Sequence, residues 1–141
     1  MSGEARVLLV GHCGPDAFML RRAVKAVLRT EHVESVNSAG DLEALVERAD
    51  LALVNRVLDG DFGTDSGVEL IRTRARSGKT RWMLVSNYAD AQAAAEAAGA
   101  LPGFGKAEVN SDKARRRLAG ALASVERNVD DPQSDQGRGV S

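Results

Sequence analysis

The sequence predicts a single α/β domain in which a five-stranded parallel sheet is covered by helices on both faces. Short apolar runs alternate with amphipathic segments along the chain, about five of each. The apolar runs lack polar alternation, which is typical of strands buried on both faces. Helices between successive strands favour parallel pairing. The length of 141 residues fits one hydrophobic core.

The first strand is predicted from the run Val7–Val10, and the first helix from the residues after it. Gly14 and Pro15 break the apolar run, and Asp16 is expected to cap the next helix. The spacing i, i+3, i+4, i+7 gives that helix one apolar face, formed by Leu20, Ala23, Val24 and Val27.

A short second strand is expected around 32–36. The second helix should begin near Ser38 or Asp41, and its apolar positions are Leu42, Leu45, Val46 and Ala49. Leu51–Val54 is typical of a third strand, and an Asp- and Gly-rich loop at 59–65 comes after it. Ser66 and Glu69 form a capping-box pattern that opens the third helix.

The last third of the chain repeats the alternation. Trp82–Val85 predicts a fourth strand, and the alanine-rich stretch 91–98 predicts a helix that Gly99 ends. A weak fifth strand is expected around 103–105. The final helix has its apolar positions at Leu118, Ala121, Leu122 and Val125.

Composition narrows the class of protein. The chain is 43% hydrophobic and 28% charged, with a formal net charge of −1 and both signs interspersed. This mixture argues against a dedicated nucleic-acid or membrane-surface protein, and the run 115–117 of arginines is expected to be a solvated helix face. The single cysteine, Cys13, excludes an internal disulfide and a zinc site built from several thiolates.

The sequence also gives expectations about location and domain limits. No apolar stretch approaches the roughly 20 residues that span a bilayer, and residues 1–5 lack a signal-peptide pattern, so we expect a cytoplasmic protein. Residues 1–128 are expected to form the domain, with a polar, disordered tail at 129–141. That tail is too short to be an output domain, which disfavours DNA binding by this chain alone.

A functional crevice is expected where parallel strands end. In open α/β sheets ligands bind beyond the carboxyl ends of the strands, at the point where strand order reverses. The residues at those ends are Gly11, His12, Asn55, Ser86 and Lys106.

These positions resemble the motifs of a response-regulator receiver domain, which has a flavodoxin-like, CheY-like (βα)5 fold. The similar segments are Arg6–Val10, Asp50–Asn55, Leu84–Ser86 and Gly99–Lys106, within a match over roughly residues 5–126. The resemblance places Asn55 at the phosphoacceptor position and Gly11 and His12 at the positions of the acidic pair. Ser86 stands at the position of the family's signalling Ser or Thr, and Lys106 at the position of the family's lysine.

The departures from the family pattern imply a degenerate phosphorylation site. Glycine has no side chain, a neutral imidazole is a poor magnesium ligand, and the Asn55 carboxamide cannot form an acyl phosphate. The resemblance therefore implies a pseudo-receiver with no catalytic residues, metal or cofactor. Asn87 replaces a small residue, and Ala107 replaces a proline. We expect Lys106 to donate a hydrogen bond to Asn55.

Gly103 occupies the usual position of the family's switching aromatic, with Phe104 one residue later. The family's fourth helix, fifth strand and fifth helix commonly mediate dimers or output contacts. The corresponding segments are Ala89–Ala98, Gly103–Lys106 and Ala114–Val125. The resemblance thus implies a two-component signalling module that binds a protein partner, either a histidine kinase, another regulator or a second copy, without nucleic acid or membrane.

Two alternatives stay open. Asp59 lies at the family's usual distance before the third helix, so it is an alternative phosphoacceptor. Asn55 is favoured because the alternative draws Arg56 into a buried strand, whereas a longer surface loop costs little. The second alternative is a small anion bound in the crevice by Lys106, Ser86 and strand-end amides.

Other site hypotheses are weaker. His12 and Cys13 are expected to be a polar loop group and a small, half-buried residue rather than a metal or thiol site. Asp59, Asp61 and Asp65 resemble a calcium loop only loosely, since Leu70 stands at the twelfth position. Ser86 lacks histidine and aspartate partners for hydrolase chemistry.

Overall fold

Strands and helices alternate along residues 4–130, the part of the chain that the computed structural model describes. Short 3-10 turns occupy Val46–Arg48 and Lys106–Glu108. The elements are β1 (Val7–Val10), α1 (Gly14–Leu28), β2 (Val33–Val36), α2 (Ala39–Leu45), β3 (Leu51–Asn55), α3 (Gly67–Arg74), β4 (Arg81–Val85), α4 (Ala89–Ala97), β5 (Leu101–Phe104) and α5 (Asp112–Asp130).

All five strands belong to one parallel sheet in the order β2-β1-β3-β4-β5. This is the flavodoxin-like order, and its switch point lies between β1 and β3. Val7 of β1 is in register with Val33 of β2 and Leu51 of β3. The five-stranded α/β fold expected from the sequence is confirmed.

The core consists of two layers because alternate side chains of each strand point to opposite faces. One layer packs β1 and β3 residues such as Leu9 and Leu53 against α1 and α5. The other joins Leu8, Val54 and the only tryptophan, Trp82, to residues of α2, α3 and α4. The uniformly buried strands explain why their sequences are continuous apolar runs.

The helix starts differ in one case from the sequence prediction. Helix α1 begins at Gly14 with Cys13 at the N-cap, so the expected cap by Asp16 is wrong. Pro15 lies in the first turn, where a missing N–H removes no helical hydrogen bond. The serine caps do form: Ser38 Oγ accepts from the Asp41 N–H, and Ser66 Oγ accepts from the Glu69 N–H, both at 3.1 Å.

Helix α4 ends as the sequence predicts, with Gly99 at C′ and a positive φ of 116°. The Gly99 N–H donates to Glu96 O at 3.0 Å, and the Ala100 N–H donates to Ala95 O at 2.9 Å. These two bonds form a Schellman motif. Strand β5 then starts at Leu101, earlier than expected, and its pairing with β4 shifts register between Met83 and Val85.

Helix α5 extends into the segment that was expected to be a disordered tail. The helix continues through Asp130, so Val129 and Asp130 are helical. The remaining residues of the expected disordered tail lie outside the described residues. Among the helices that the structure describes, none is both long and apolar enough to span a membrane.

Candidate functional site

The ends of β3, β4 and β5 form a small crevice of about 190 Å³. It contains three of the five residues singled out from the sequence, Asn55, Ser86 and Lys106. Gly11 and His12 do not line it. The full lining is Asn55, Arg56, Val57, Val85, Ser86, Asn87, Tyr88 and Lys106.

Asn55 ends β3, and its side chain is fixed by two carbonyl groups. The residue is 9% exposed. Its Nδ2 donates to Gly11 O at 2.9 Å and to Val57 O at 2.7 Å. Both amide hydrogens are therefore engaged, which only a carboxamide at this position can do, since an ionised carboxylate has no donor.

His12 lies in the loop between β1 and α1, as expected, but it is buried. It is 3% exposed, and its Nε2 is 2.9 Å from Leu53 O. Nδ1 is buried and has no hydrogen-bond partner among the described residues. Burial lowers the pKa of His12 to about 4, and the Lys106 charge acts in the same direction, against the opposing effects of Leu53 O and Asp16. The imidazole is thus neutral at physiological pH.

Lys106 pairs with Asp16 rather than with Asn55. The Nζ–Oδ2 distance is 2.6 Å. The hydrogen bond from Lys106 lowers the pKa of Asp16, and a second one from Cys13 contributes. The expected Lys106–Asn55 bond is wrong because an ammonium group prefers a carboxylate to a neutral carboxamide that already donates elsewhere. Cys13 is half-buried, as expected.

Ser86 and Asn87 stabilise the loop after β4. Ser86 is buried, and its Oγ accepts from the Tyr88 N–H at 3.1 Å. Asn87 Oδ1 accepts from the Ala107 N–H at 3.1 Å and so ties this loop to the turn after β5. Asn87 also lines the crevice.

Residues 56–66, here called the covering loop, fold back over the ends of β1 and β2. Leu58 and Phe62 are buried in the core layer that contains Val10 and Val36. The Asp61 N–H donates to Asn37 O at 3.0 Å, and the Ala39 N–H donates to Asp61 O at 2.8 Å. The extra loop length was expected from the sequence, but this docking and the role of Asn37 were not. The signal was the pair of large apolar side chains in an otherwise polar loop.

Asp59 lies in the covering loop next to the end of β1. Its N–H donates to Gly11 O at 2.9 Å, and its carbonyl accepts from Asn37 Nδ2 at 2.6 Å. The residue is exposed. Asp61 and Asp65 are also exposed. Among residues 4–122, whose side chains the structure describes, no cluster of three or more His, Cys, Asp or Glu is suited to a metal ion.

The magnesium ion implied by the receiver resemblance does not fit these residues. Gly11 contributes no side chain, and Leu58 packs over it. The nearest histidine donates its Nε2–H to a carbonyl group, and the Asn55 amide turns N–H groups toward Gly11 O. Magnesium requires oxygen ligands in near-octahedral geometry.

Gly11 provides a test of the docked loop. Its φ is +74°, and a Cβ built there lies 2.6 Å from Leu58 Cδ2. We expect Gly11→Ala to lower the free energy of unfolding by about 2 kcal/mol, from the left-handed backbone and the clash. Urea unfolding followed by Trp82 fluorescence measures this change.

The matched control is Gly14→Ala. Gly14 has nothing within 4 Å of a built Cβ and no positive φ. Alanine there should be neutral or slightly stabilising, because it restricts the unfolded chain. Equal effects at the two positions would contradict the packing of Leu58 on Gly11.

Known proteins resemble the chain in structure but not detectably in sequence. No protein-family model matches it, and no curated protein matches it. The signal receiver domain of a DNA-binding response regulator (merR) from Colwellia psychrerythraea 34H is similar over 85% of this chain and 99% of its own, with 16% identity and a TM-score of 0.67.

Two further solved structures give the same result. The RcsB response regulator of Salmonella typhimurium is 17% identical, with a TM-score of 0.64; the match covers 91% of this chain and 62% of that one. The receiver domain of the putative response regulator NarL from Mycobacterium tuberculosis is 22% identical over 86% of this chain and 96% of its own, with a TM-score of 0.56. The chain therefore has the CheY-like receiver fold.

Proposed function

We propose that the chain is a pseudo-receiver, a protein-interaction module that signals without phosphorylation and catalyses no reaction of its own. The observation that carries this proposal is the side chain of Asn55. Its amide nitrogen donates to Gly11 O and Val57 O at the position where a receiver places its phosphoacceptor. The surroundings therefore select a carboxamide and disfavour a carboxylate.

The neighbouring residues support the same proposal. Gly11 and His12 offer no carboxylate for a metal, and Lys106 is engaged by Asp16. The covering loop packs Leu58 over Gly11, so hydrophobic contacts occupy the end of β1. Without a nucleophile and a held metal ion, phosphoryl transfer lacks both positioning and charge neutralisation.

The proposed binding surface is the face formed by α4, β5 and α5. A groove of about 500 Å³ runs along it between Gln92 of α4 and Arg117 of α5. Gln92 Nε2 donates to Leu84 O at 2.9 Å, and Arg117 donates to Gly103 O at 2.5 Å. These bonds tie both helices to the strands between them and give a preorganised face for a kinase, another regulator or a second copy.

Phe104 takes no part in an aromatic switch in this proposal. It is 1% exposed and packs in the core. Gly103 has no room for a side chain, because a built Cβ lies 2.0 Å from Leu84 O. The face therefore lacks the family's switching aromatic, which supports a module that does not respond to phosphorylation.

The test is incubation with magnesium and acetyl phosphate, followed by intact mass measurement. We expect no added phosphoryl group on the wild type or on Asp59→Asn, with Trp82 fluorescence verifying that both are folded. Phosphoryl addition to the wild type but not to Asp59→Asn would overturn the proposal and identify Asp59 as the acceptor. That second candidate is favoured by one contact, the hydrogen bond from the Asp59 N–H to Gly11 O.

A third candidate is a small anion bound in the crevice. Arg56 and Lys106 both line it, and Ser86 and Asn87 add polar groups. Inorganic phosphate that raises the melting temperature of the wild type, but not of Lys106→Met, would favour this candidate.

A further inference from the structure

The two ends of the sheet carry opposite charge. Loops and first helical turns at the carboxyl ends of the strands form the acidic end. It contains four cations, Arg56, Lys106, Lys113 and Arg115. Its acids are Asp16, Asp41, Asp59, Asp61, Asp65, Glu69, Asp90, Glu108 and Asp112.

Most of the carboxylates of the acidic end have no cationic partner nearby. Asp16 and Glu108 pair with Lys106 and Lys113, Asp112 pairs with Arg115, and Glu69 pairs with Arg72. The other five form no ion pair with a described residue, and all are exposed: Asp41, Asp59, Asp61, Asp65 and Asp90. Two exposed apolar side chains lie among them, Val57 at 52% and Tyr88 at 58%.

The opposite end of the sheet is basic. Residues 72–81 contain five cations and no acid. The basic end comprises Arg6, Arg48, Arg72, Arg74, Arg76, Lys79 and Arg81. Counting partners among residues 4–122, whose side chains the structure describes, only Arg72, Arg74 and Lys79 of this set form ion pairs, with Glu69, Glu43 and Asp50.

Contacts around Asp50 and Thr80 join the basic end into one surface. The Arg6 N–H donates to Asp50 Oδ2 at 2.9 Å, and the Arg81 N–H donates to Asp50 O at 3.0 Å. Thr80 Oγ1 donates to Val46 O at 2.7 Å, next to the turn that carries Arg48. Between Arg6 and Arg48 lies a hollow of about 80 Å³. Its apolar lining includes Leu45 and Ala49, and its polar lining also includes His32 and Glu34.

We infer that the basic end of one copy binds the acidic end of a second copy. Complementary charge steers and orients such contacts, and the hollow beside Arg48 offers a place for an exposed apolar side chain such as Val57. The two surfaces differ, so the contact does not close on itself and copies add head to tail. A phosphate backbone fits less well, because the basic end contains Asp50 and partners for three of its seven cations.

The test is sedimentation velocity of the full chain over a range of protein concentrations. At low ionic strength the average mass should rise above the monomer and keep rising with concentration. It should return to the monomer in about 1 M NaCl, where the Debye length is about 3 Å. A monomer at every concentration in low salt would overturn the inference.

Two neutralising variants locate the contact. Arg48→Gln/Arg76→Gln weakens the basic end, and Asp61→Asn/Asp65→Asn weakens the acidic end. Each alone should weaken self-association by about tenfold or more. Mixed in equal amounts they should form 1:1 pairs that grow no further, because each variant retains one intact end. Arg21→Gln/Arg22→Gln on α1, which changes net charge by the same amount as the basic-end variant, should associate like the wild type.

Other assemblies give different results. A dimer that is insensitive to salt and to both end variants would assign self-association to the α4, β5 and α5 face and overturn the inference. A short DNA duplex bound by the wild type and lost in Arg48→Gln/Arg76→Gln, with self-association unchanged, would assign the basic end to nucleic acid and also overturn it.

Discussion

Replacing Asn55 with aspartate is expected to lower the free energy of unfolding by about 3 kcal/mol at neutral pH. The change removes both donors that hold Gly11 O and Val57 O, and it sets a negative charge 2.7–2.9 Å from those oxygens. Leaving a buried polar group without its partner costs about 1–3 kcal/mol. Urea unfolding, followed by Trp82 fluorescence, measures the difference.

Asn37→Asp is the matched control for this experiment. Asn37 Nδ2 also contacts two carbonyl oxygens, those of His12 and Asp59, at 3.3 and 2.6 Å. Asn37 is exposed, whereas Asn55 is buried, so water should reduce the cost of a carboxylate there. Equal costs at positions 37 and 55 would contradict a site built around the carboxamide.

The pH dependence of Asn55→Asp has its cause in the same contacts. Burial and the facing carbonyls should raise the pKa of the introduced carboxyl above that of the unfolded chain. Above the folded-state pKa of this carboxyl, the loss in free energy of unfolding is complete. As pH falls through that pKa the loss becomes smaller, because the protonated acid has one hydrogen-bond donor again. With magnesium and acetyl phosphate the variant should remain unmodified, because Gly11 and His12 hold no metal.

The fold could be predicted from the sequence because its central strands are buried on both faces. Continuous apolar runs such as Val7–Val10 and Leu51–Val54 have few alternative structures once helical segments separate them. Local chemistry also located the caps at Ser38 and Ser66 and the helix end at Gly99. Each of these signals depends on residues a few positions apart, which the sequence displays directly.

The site was harder to predict because its contacts join distant parts of the chain. Asp16 suits a helix cap, yet it pairs with Lys106, 90 residues away. His12 comes after a strand as a loop residue would, yet it is buried over Leu53. The docking of Leu58 depends on space that Gly11 leaves open, and no short-range sequence pattern indicates that space.

Acidification is expected to destabilise the protein by about 3 kcal/mol through His12 alone. The pKa of His12 is about 4 in the folded protein and near 6.5 in an unfolded chain. Between these values the unfolded chain binds a proton that the folded protein does not, so the free energy of unfolding falls as pH drops from about 6.5 to 4. The loss is complete below pH 4, and each pH unit within the window corresponds to about 1.4 kcal/mol.

His12→Gln isolates this contribution, because glutamine does not titrate and retains an N–H that can donate to Leu53 O. As pH falls from about 6.5 to 4, the free energy of unfolding of the wild type should decrease relative to that of His12→Gln. Carboxylates with lowered pKa, such as Asp16 and Glu108, lose their contributions in both proteins and largely cancel in that difference. His32→Gln retains His12, so its free energy of unfolding should keep the pH dependence that is attributed to His12. If the free energy of unfolding had the same pH dependence in the wild type and in His12→Gln, the imidazole would already be solvated in the folded protein. That result would contradict the burial of His12 and would make the end of β1 accessible to a ligand.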